Sequence, residues 1–196
     1  QCLTLEVSQD GAAQGIVNYR TSGVLMSDLP PPLSCQDKPE MERSDCLIGN
    51  HHFRIGNIGV ADEPEVLRLF AEAFGHTPDD RWYHWKYSRG RGEAVGLWNE
   101  SGQLVAHYAG LPRTLLWHGN RMETVQIGDV MVLPQVRGLM TRKGPFFQVC
   151  TRFFDSRVGE GKSYRLAFGF PNQRAMTLGR ALDLYHDAGK IHLLRW

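Results

Sequence analysis

Val130-Met-Val-Leu-Pro-Gln135-Val-Arg137-Gly138-Leu-Met-Thr-Arg142-Lys143-Gly144-Pro145-Phe146-Phe147 is the stretch on which the fold turns. An apolar strand enters a basic, glycine-bearing turn, and the turn enters a helix. Pro145 suits the first helical position, where its missing N–H is no loss. Just ahead of it, unbonded backbone N–H groups and the positive end of the helix dipole face outward. Arg137, Arg142 and Lys143 add full positive charges to the turn. This combination suits a pyrophosphate, although strand–glycine–helix turns also occur without a ligand.

Upstream, apolar runs predict three strands at 94–98, 104–117 and 122–133. The turns between them are Asn99-Glu-Ser-Gly102 and His118-Gly-Asn120, with Pro112 expected to interrupt or bend the long middle strand. Earlier still, a strand is predicted at 53–60. Asp62 then sits in cap position before Glu63-Pro64, with Val66, Leu67, Leu69, Phe70 and Phe74 at helical spacing and Gly75 as the stop. A short helix over 79–87 carries Trp82, Tyr83, Trp85 and Tyr87. Downstream come a helix at 145–158, a strand at 164–170, a helix at 173–182 and a strand within 184–195. The order β-α-α-β-β-β-α-β-α-β predicts an α/β fold: a mixed, twisted sheet flanked by helices.

Residues 1–50 differ in character. Strands are predicted at 3–7 and 15–19, before Pro30-Pro31-Pro32 and the polar run Glu40-Met-Glu-Arg-Ser-Asp45. Three successive prolines cannot occupy a helix interior or a central strand. Residues 27–50 are therefore expected to form a linker or surface-wrapping loop. The expected organisation is an N-terminal extension with a Pro-rich linker, 1–50, and one α/β domain, 51–196.

Composition narrows the function class. The 196 residues suffice for one domain with a sizeable core, and 42% are apolar. A net charge of +1 provides no global field for nucleic acid or anionic lipid. No segment approaches a membrane span and no signal peptide is visible. The chain starts at Gln1, which fits a processed product or an excised fragment. Cys2, Cys35, Cys46 and Cys150 lack C-x-x-C spacing, and His51-His52 is a poor chelate, so no metal site is expected. A reducing, cytoplasmic setting is expected, with a disulfide among the first three cysteines conceivable.

The central motif is not a Walker loop, which needs G-x-x-x-x-G-K-[ST], nor a G-x-G-x-x-G dinucleotide turn. Gln135-Val-Arg-Gly138 after an apolar strand resembles the acetyl-CoA-binding motif of the GNAT N-acetyltransferase superfamily, Gln/Arg-x-x-Gly-x-Gly/Ala, as in a divergent member. Met140 departs from the last position; a second alignment puts Lys143-Gly144 there instead. The element order also matches, over about 53–196. The family normally adds one more terminal strand, here either missing or replaced by residues 1–25. Phe168-Gly-Phe-Pro171-Asn172-Gln-Arg-Ala175 resembles the family's fifth strand and next helix. Asn172 is also a natural helix cap.

The resemblance implies a site. Arg137, Gly138, Arg142, Lys143 and Gly144 would hold the pyrophosphate of acetyl-CoA. Backbone groups of Val130, Met131 and Val132, with 168–170 across a gap, would bind the pantetheine arm and polarise the thioester, and Asn172 would flank its thiol end. Asp129, among apolar neighbours on the strand, is the candidate base; a pairing with Arg113 or a backbone amide is the plainer alternative. Glu123 is a second carboxylate, nearer the hairpin. The family's general-acid Tyr is absent, because Gly179 falls at or beside its position; Tyr185 is the candidate substitute, or a core residue. Trp82, Trp85 and Tyr87 either pack or shape the acceptor pocket. His107 and Tyr108 are adjacent in a strand and so face opposite sides, one of them towards the acceptor.

The function implied is transfer of an acetyl group from acetyl-CoA to an amine acceptor by direct attack in a ternary complex. No nucleic acid or membrane partner is expected, and a homodimer stays open. The alternative is a CoA-binding or interaction module of the same fold with weak or lost chemistry. A transferase using aminoacyl-tRNA on a related fold is a third reading, kept open by basic clusters at 137–143 and 152–165.

Overall fold

A computed structural model describes residues 4–6, 12–18, 43–87, 91–137 and 144–192. Among them are nine strands and four α-helices: β1 (Thr4–Glu6), β2 (Ala12–Asn18), β3 (Ser44–Ile48), β4 (His51–Asn57), α1 (Glu63–Phe74), α2 (Asp80–Tyr87), β5 (Glu93–Asn99), β6 (Leu104–Trp117), β7 (Asn120–Val132), α3 (Pro145–Arg157), β8 (Leu166–Gly169), α4 (Gln173–Ala181) and β9 (Gly189–His192). This is the expected mixed α/β fold, with each predicted helix present. None of the described helices is long and apolar enough to cross a membrane.

One element corrects the sequence reading. Ser44–Ile48 lies within the stretch expected to be linker, yet it pairs antiparallel with β4, from Ser44↔Ile55 to Ile48↔His51. Gly49, at φ 63, makes the tight turn between them. The strand is hard to see in the sequence because Ile48 alone of its five residues is buried. Pro30–Pro32 fall outside the described residues.

Two compact units divide the chain: residues 38–111 with 129–153, and residues 1–37 with 112–128 and 154–196. In the first, β3, β4, β5 and the first half of β6 form an antiparallel meander. Val95, Leu97, Trp98, Leu104, Val105, Ala106, Tyr108 and Ala109 are all buried. Burial is continuous along 104–110, His107 included, so both faces of this strand are covered. Helix α1 buries Val66 and Leu69 completely. It stops at Gly75, whose left-handed backbone (φ 78) lets its N–H reach the Ala71 carbonyl. Arg68 fastens α1 to β6, donating to Glu65, Glu72 and the Leu104 carbonyl, while Glu65 accepts the Leu104 N–H. Asp62 precedes α1 as expected, but its carboxylate turns back to accept from Gly59 N–H and Arg43.

In the second unit, β7 and β8 pair in parallel from Thr124↔Leu166 to Ile127↔Gly169. Strand β8 ends there, whereas β7 continues to Val132. Strand β2 lies antiparallel to β8 (Val17↔Phe168) and to β9 (Ala12↔His192). Strand β1 pairs antiparallel with β2 and parallel with β9. N-terminal strands thus supply sheet partners where a further terminal strand was in question. Asn172 caps α4 as expected, its Oδ1 accepting the Ala175 N–H at 2.9 Å. Strand β6 runs through Pro112 unbroken, although its residues change from buried to exposed there.

Candidate active site

Asp129 is the residue around which the site is built. It sits on β7 with φ 50, a left-handed conformation that Asp tolerates better than most side chains. The break in extended geometry aims its carboxylate at the end of α2. There Lys86 Nζ donates to both carboxylate oxygens at 2.8 Å, and the Tyr87 hydroxyl donates to Oδ2 at 2.6 Å. The Lys86 and Asp129 side chains are only 17% and 12% exposed, so the pair is shielded from water. The Lys86 ammonium also lies 4.7 Å from the centre of the Trp82 ring. It sits in the last turn of α2, where the helix dipole favours a cation.

A second contact holds the backbone of the same residue. His107 Nδ1 lies 2.7 Å from the Asp129 carbonyl oxygen. A carbonyl only accepts, so Nδ1 carries the proton and Nε2 presents a lone pair. Nε2 is buried and has no hydrogen-bond partner among the described residues. The Tyr87 ring packs edge-on to the imidazole at 6.0 Å. Burial holds the His107 pKa below its usual 6.5, against the opposing pull of the Asp129 carbonyl and carboxylate. Burial, followed by the Asp129 charge and hydrogen bond, drives the Tyr87 phenol well above its usual 10, so it stays a donor.

The His107 shift gives the protein an acid sensitivity with a defined sign. Below pH 6.5 the unfolded chain takes up a proton on this imidazole that the folded chain resists. Stability from this source is complete above that pH and falls on acidification, by at most about 1.4 kcal/mol per pH unit. His107→Asn keeps a donor near the Asp129 carbonyl and removes the titration. Urea unfolding at a series of pH values should show a shallower acid slope for the variant; an unchanged slope would dismiss His107 as its source.

The other expected residues are distributed unevenly. His107 and Tyr108 face opposite sides, as alternation requires. Tyr108 is the core member: it is fully buried and packs on Phe146 and Phe153 of α3, so the expectation that it lines the acceptor pocket is corrected. Trp82 is half-buried against Phe70 at 4.7 Å, and Trp85 is 60% exposed. Met131 is buried, with Val130 and Val132 half-buried on either side. Phe168 pairs with Gln126 rather than lying across a gap. Arg113 donates to Gln126 and is not the partner of Asp129. Glu123 accepts from the Thr114 hydroxyl at 3.1 Å.

The basic turn is described only at its flanks, since Gly138, Arg142 and Lys143 lie outside the described residues. Arg137 donates to the Val132 carbonyl at 2.9 Å and the Ala73 carbonyl at 3.4 Å, bracing the end of β7 against the end of α1. The Gly144 carbonyl accepts the Gln148 N–H at 3.1 Å and starts α3. In the other unit, Tyr185 is buried and lays its ring over Gly179, where a Cβ would come within 2.1 Å of it.

The model of the acetyltransferase (GNAT) domain matches residues 54–178. The chain belongs to the GNAT acetyltransferase family.

No curated protein matches it in sequence. Among solved structures, a probable N-acyltransferase from Enterococcus faecalis V583 is 24% identical, with a TM-score of 0.39, over 44% of this chain and 22% of its own. A GNAT family N-acetyltransferase from Escherichia coli, solved in complex with CoA, is 19% identical, with a TM-score of 0.43, over 52% of this chain and 53% of its own. This chain therefore spans about a fifth and about half of those two proteins. A ribosomal-protein-alanine N-acetyltransferase from Brucella melitensis biovar Abortus 2308 is 18% identical, with a TM-score of 0.50, over 66% of this chain and 88% of its own. That likeness bears on the fold alone.

Within this GNAT chain, the sequence reading found Asp129 and passed over its two partners. Helical spacing groups Tyr87 with the two tryptophans and does not tie it to Asp129, and Lys86 carries no signal. Helical spacing did bring both to the same end of α2, but no local pattern ties that end to a strand more than forty residues onward.

Proposed function

We propose that this GNAT chain transfers an acetyl group from acetyl-CoA to an amine by direct attack, with both substrates bound together. The observation that carries this reading is a shielded carboxylate, Asp129, that already holds an ammonium group. An amine arrives protonated near neutral pH and must lose a proton before it can attack. In this reading Asp129 binds the incoming ammonium and accepts that proton. His107 fixes the backbone of Asp129, and Tyr87 fixes one carboxylate oxygen, so little reorganisation accompanies the transfer. Trp82 offers an aromatic face to the cation, and Trp85 remains available to the acceptor.

For the donor, the reading assigns the pyrophosphate to Gly138, Arg142, Lys143 and Gly144. Arg137 orders the start of that turn through its carbonyl contacts. Backbone groups of Val130, Met131 and Val132 would take the pantetheine arm. Tyr185 is proposed as packing against Gly179, which leaves protonation of the departing thiolate to water. A cytoplasmic setting goes with this reading.

Acetyl-CoA should stabilise the fold by about 2.7 kcal/mol at roughly a hundredfold excess over Kd. That corresponds to several degrees in melting temperature. A flat thermal response to acetyl-CoA, CoA and longer acyl thioesters would end the donor assignment. The alternative, a CoA-binding module without turnover, is favoured by the Lys86 counter-ion on Asp129. It predicts the same thermal shift with no release of thiol in the presence of amines.

A further inference from the structure

We propose that Lys86 is itself an acyl acceptor, so that this protein acetylates its own α2 helix. The inference rests on the donor reading above and adds a modification site to it. The observation is the coincidence of an amine and a candidate base. Lys86 Nζ lies 2.8 Å from both Asp129 oxygens and 4.7 Å from the centre of the Trp82 ring, with the Tyr87 hydroxyl on the same carboxylate. Any external amine would need to bring its nitrogen to the same carboxylate. The Lys86 nitrogen is there already, on a four-carbon stem, at no translational cost.

The step balances without a further reagent. One proton passes from the Lys86 ammonium to Asp129 and on to water. The nitrogen lone pair attacks the thioester carbonyl of acetyl-CoA. As the tetrahedral adduct collapses, the new N–C bond remains and the C–S bond breaks. The second proton leaves the nitrogen and ends on the departing thiolate, giving an amide and free CoA thiol. The amide carries no charge. Asp129 then loses its counter-ion and keeps the Tyr87 hydrogen bond, so self-acetylation releases the carboxylate for external amines.

The full chain incubated with acetyl-CoA and mapped by peptide mass spectrometry tests this, with exposed Lys162 as the internal reference. Lys86 should gain acetyl at least about 100-fold faster than Lys162, the lower end of what a positioned base contributes. Unfolding the chain in urea should bring the two rates together. Asp129→Asn should slow Lys86 to the rate of Lys162, and Lys86→Arg should abolish the fast phase. Equal rates at the two lysines in the folded chain would mean simple chemical acylation and would overturn the proposal. Thermal shift with acetyl-CoA and thiol release with a panel of primary amines are recorded on the same samples. Thioester binding and amine turnover with Lys86 unmodified would sink self-acetylation and leave the transferase reading intact. Loss of binding, turnover and modification together would remove both.

Discussion

Asparagine at position 129 will lower kcat for amine acetylation by about 10²–10⁴-fold, the contribution typical of a positioned base; it removes the charge opposite Lys86 but keeps an acceptor there, so it will weaken the fold less than alanine does. Asn has the same shape, tolerates the left-handed backbone at φ 50 and can still accept from the Tyr87 hydroxyl. It cannot take the proton. Alanine at the same site should behave differently. It strands the Lys86 ammonium and the Tyr87 hydroxyl, and it suits the backbone less well. Removing one partner of a shielded ion pair costs about 3–5 kcal/mol, or roughly 2–4 °C of melting temperature per kcal/mol at this size. Steady-state kinetics and urea unfolding on both variants separate the two effects. An asparagine variant with native kcat would show that Asp129 holds structure and does no proton transfer.

Alanine at position 179 will destabilise the protein, against the usual trend for a glycine inside a helix. Gly→Ala in a helix interior ordinarily gains about 1 kcal/mol. Here the added Cβ would lie 2.1 Å from Cδ2, 2.4 Å from Cγ and 2.8 Å from Cε2 of Tyr185. Those are ring atoms of a buried side chain whose backbone N–H also bonds the Gly179 carbonyl, so the ring has little room to withdraw. Overpacking of this kind costs about 1–3 kcal/mol or more. Shortening the ring in the Gly179→Ala/Tyr185→Ala double variant should recover part of that loss, which makes the two changes non-additive. A stabilised Gly179→Ala chain would disprove the contact.

These two sites mark the boundary of what the sequence could reveal. Its local signals were sound: Gly75 and Asn172 bound helices as their chemistry requires, Pro145 starts α3, and the alternation of His107 and Tyr108 holds. Asp129 was legible as an acidic residue in an apolar strand. Its left-handed backbone was not, because nothing in neighbouring residue types demands it. The Lys86–Asp129 contact spans 43 positions and depends on how α2 docks, which no periodicity encodes. Gly179 was visible as a departure from the family's Tyr, but the reason for a residue without a side chain became clear only from the ring of Tyr185 above it. Strand β3 escaped because Ile48 alone of its five residues is buried and it follows a proline-rich, polar run.

Three elements converge on Asp129: α2 through Lys86 and Tyr87, β6 through His107, and β7 itself. Those four positions consequently behave as one heritable unit. A homologue that trades the acid for a neutral residue would be under pressure to change the lysine as well, and a saturation library that randomises any one of the four alone will under-report what the site tolerates. Joint diversification of the quartet is the way to find which other combinations this scaffold accepts.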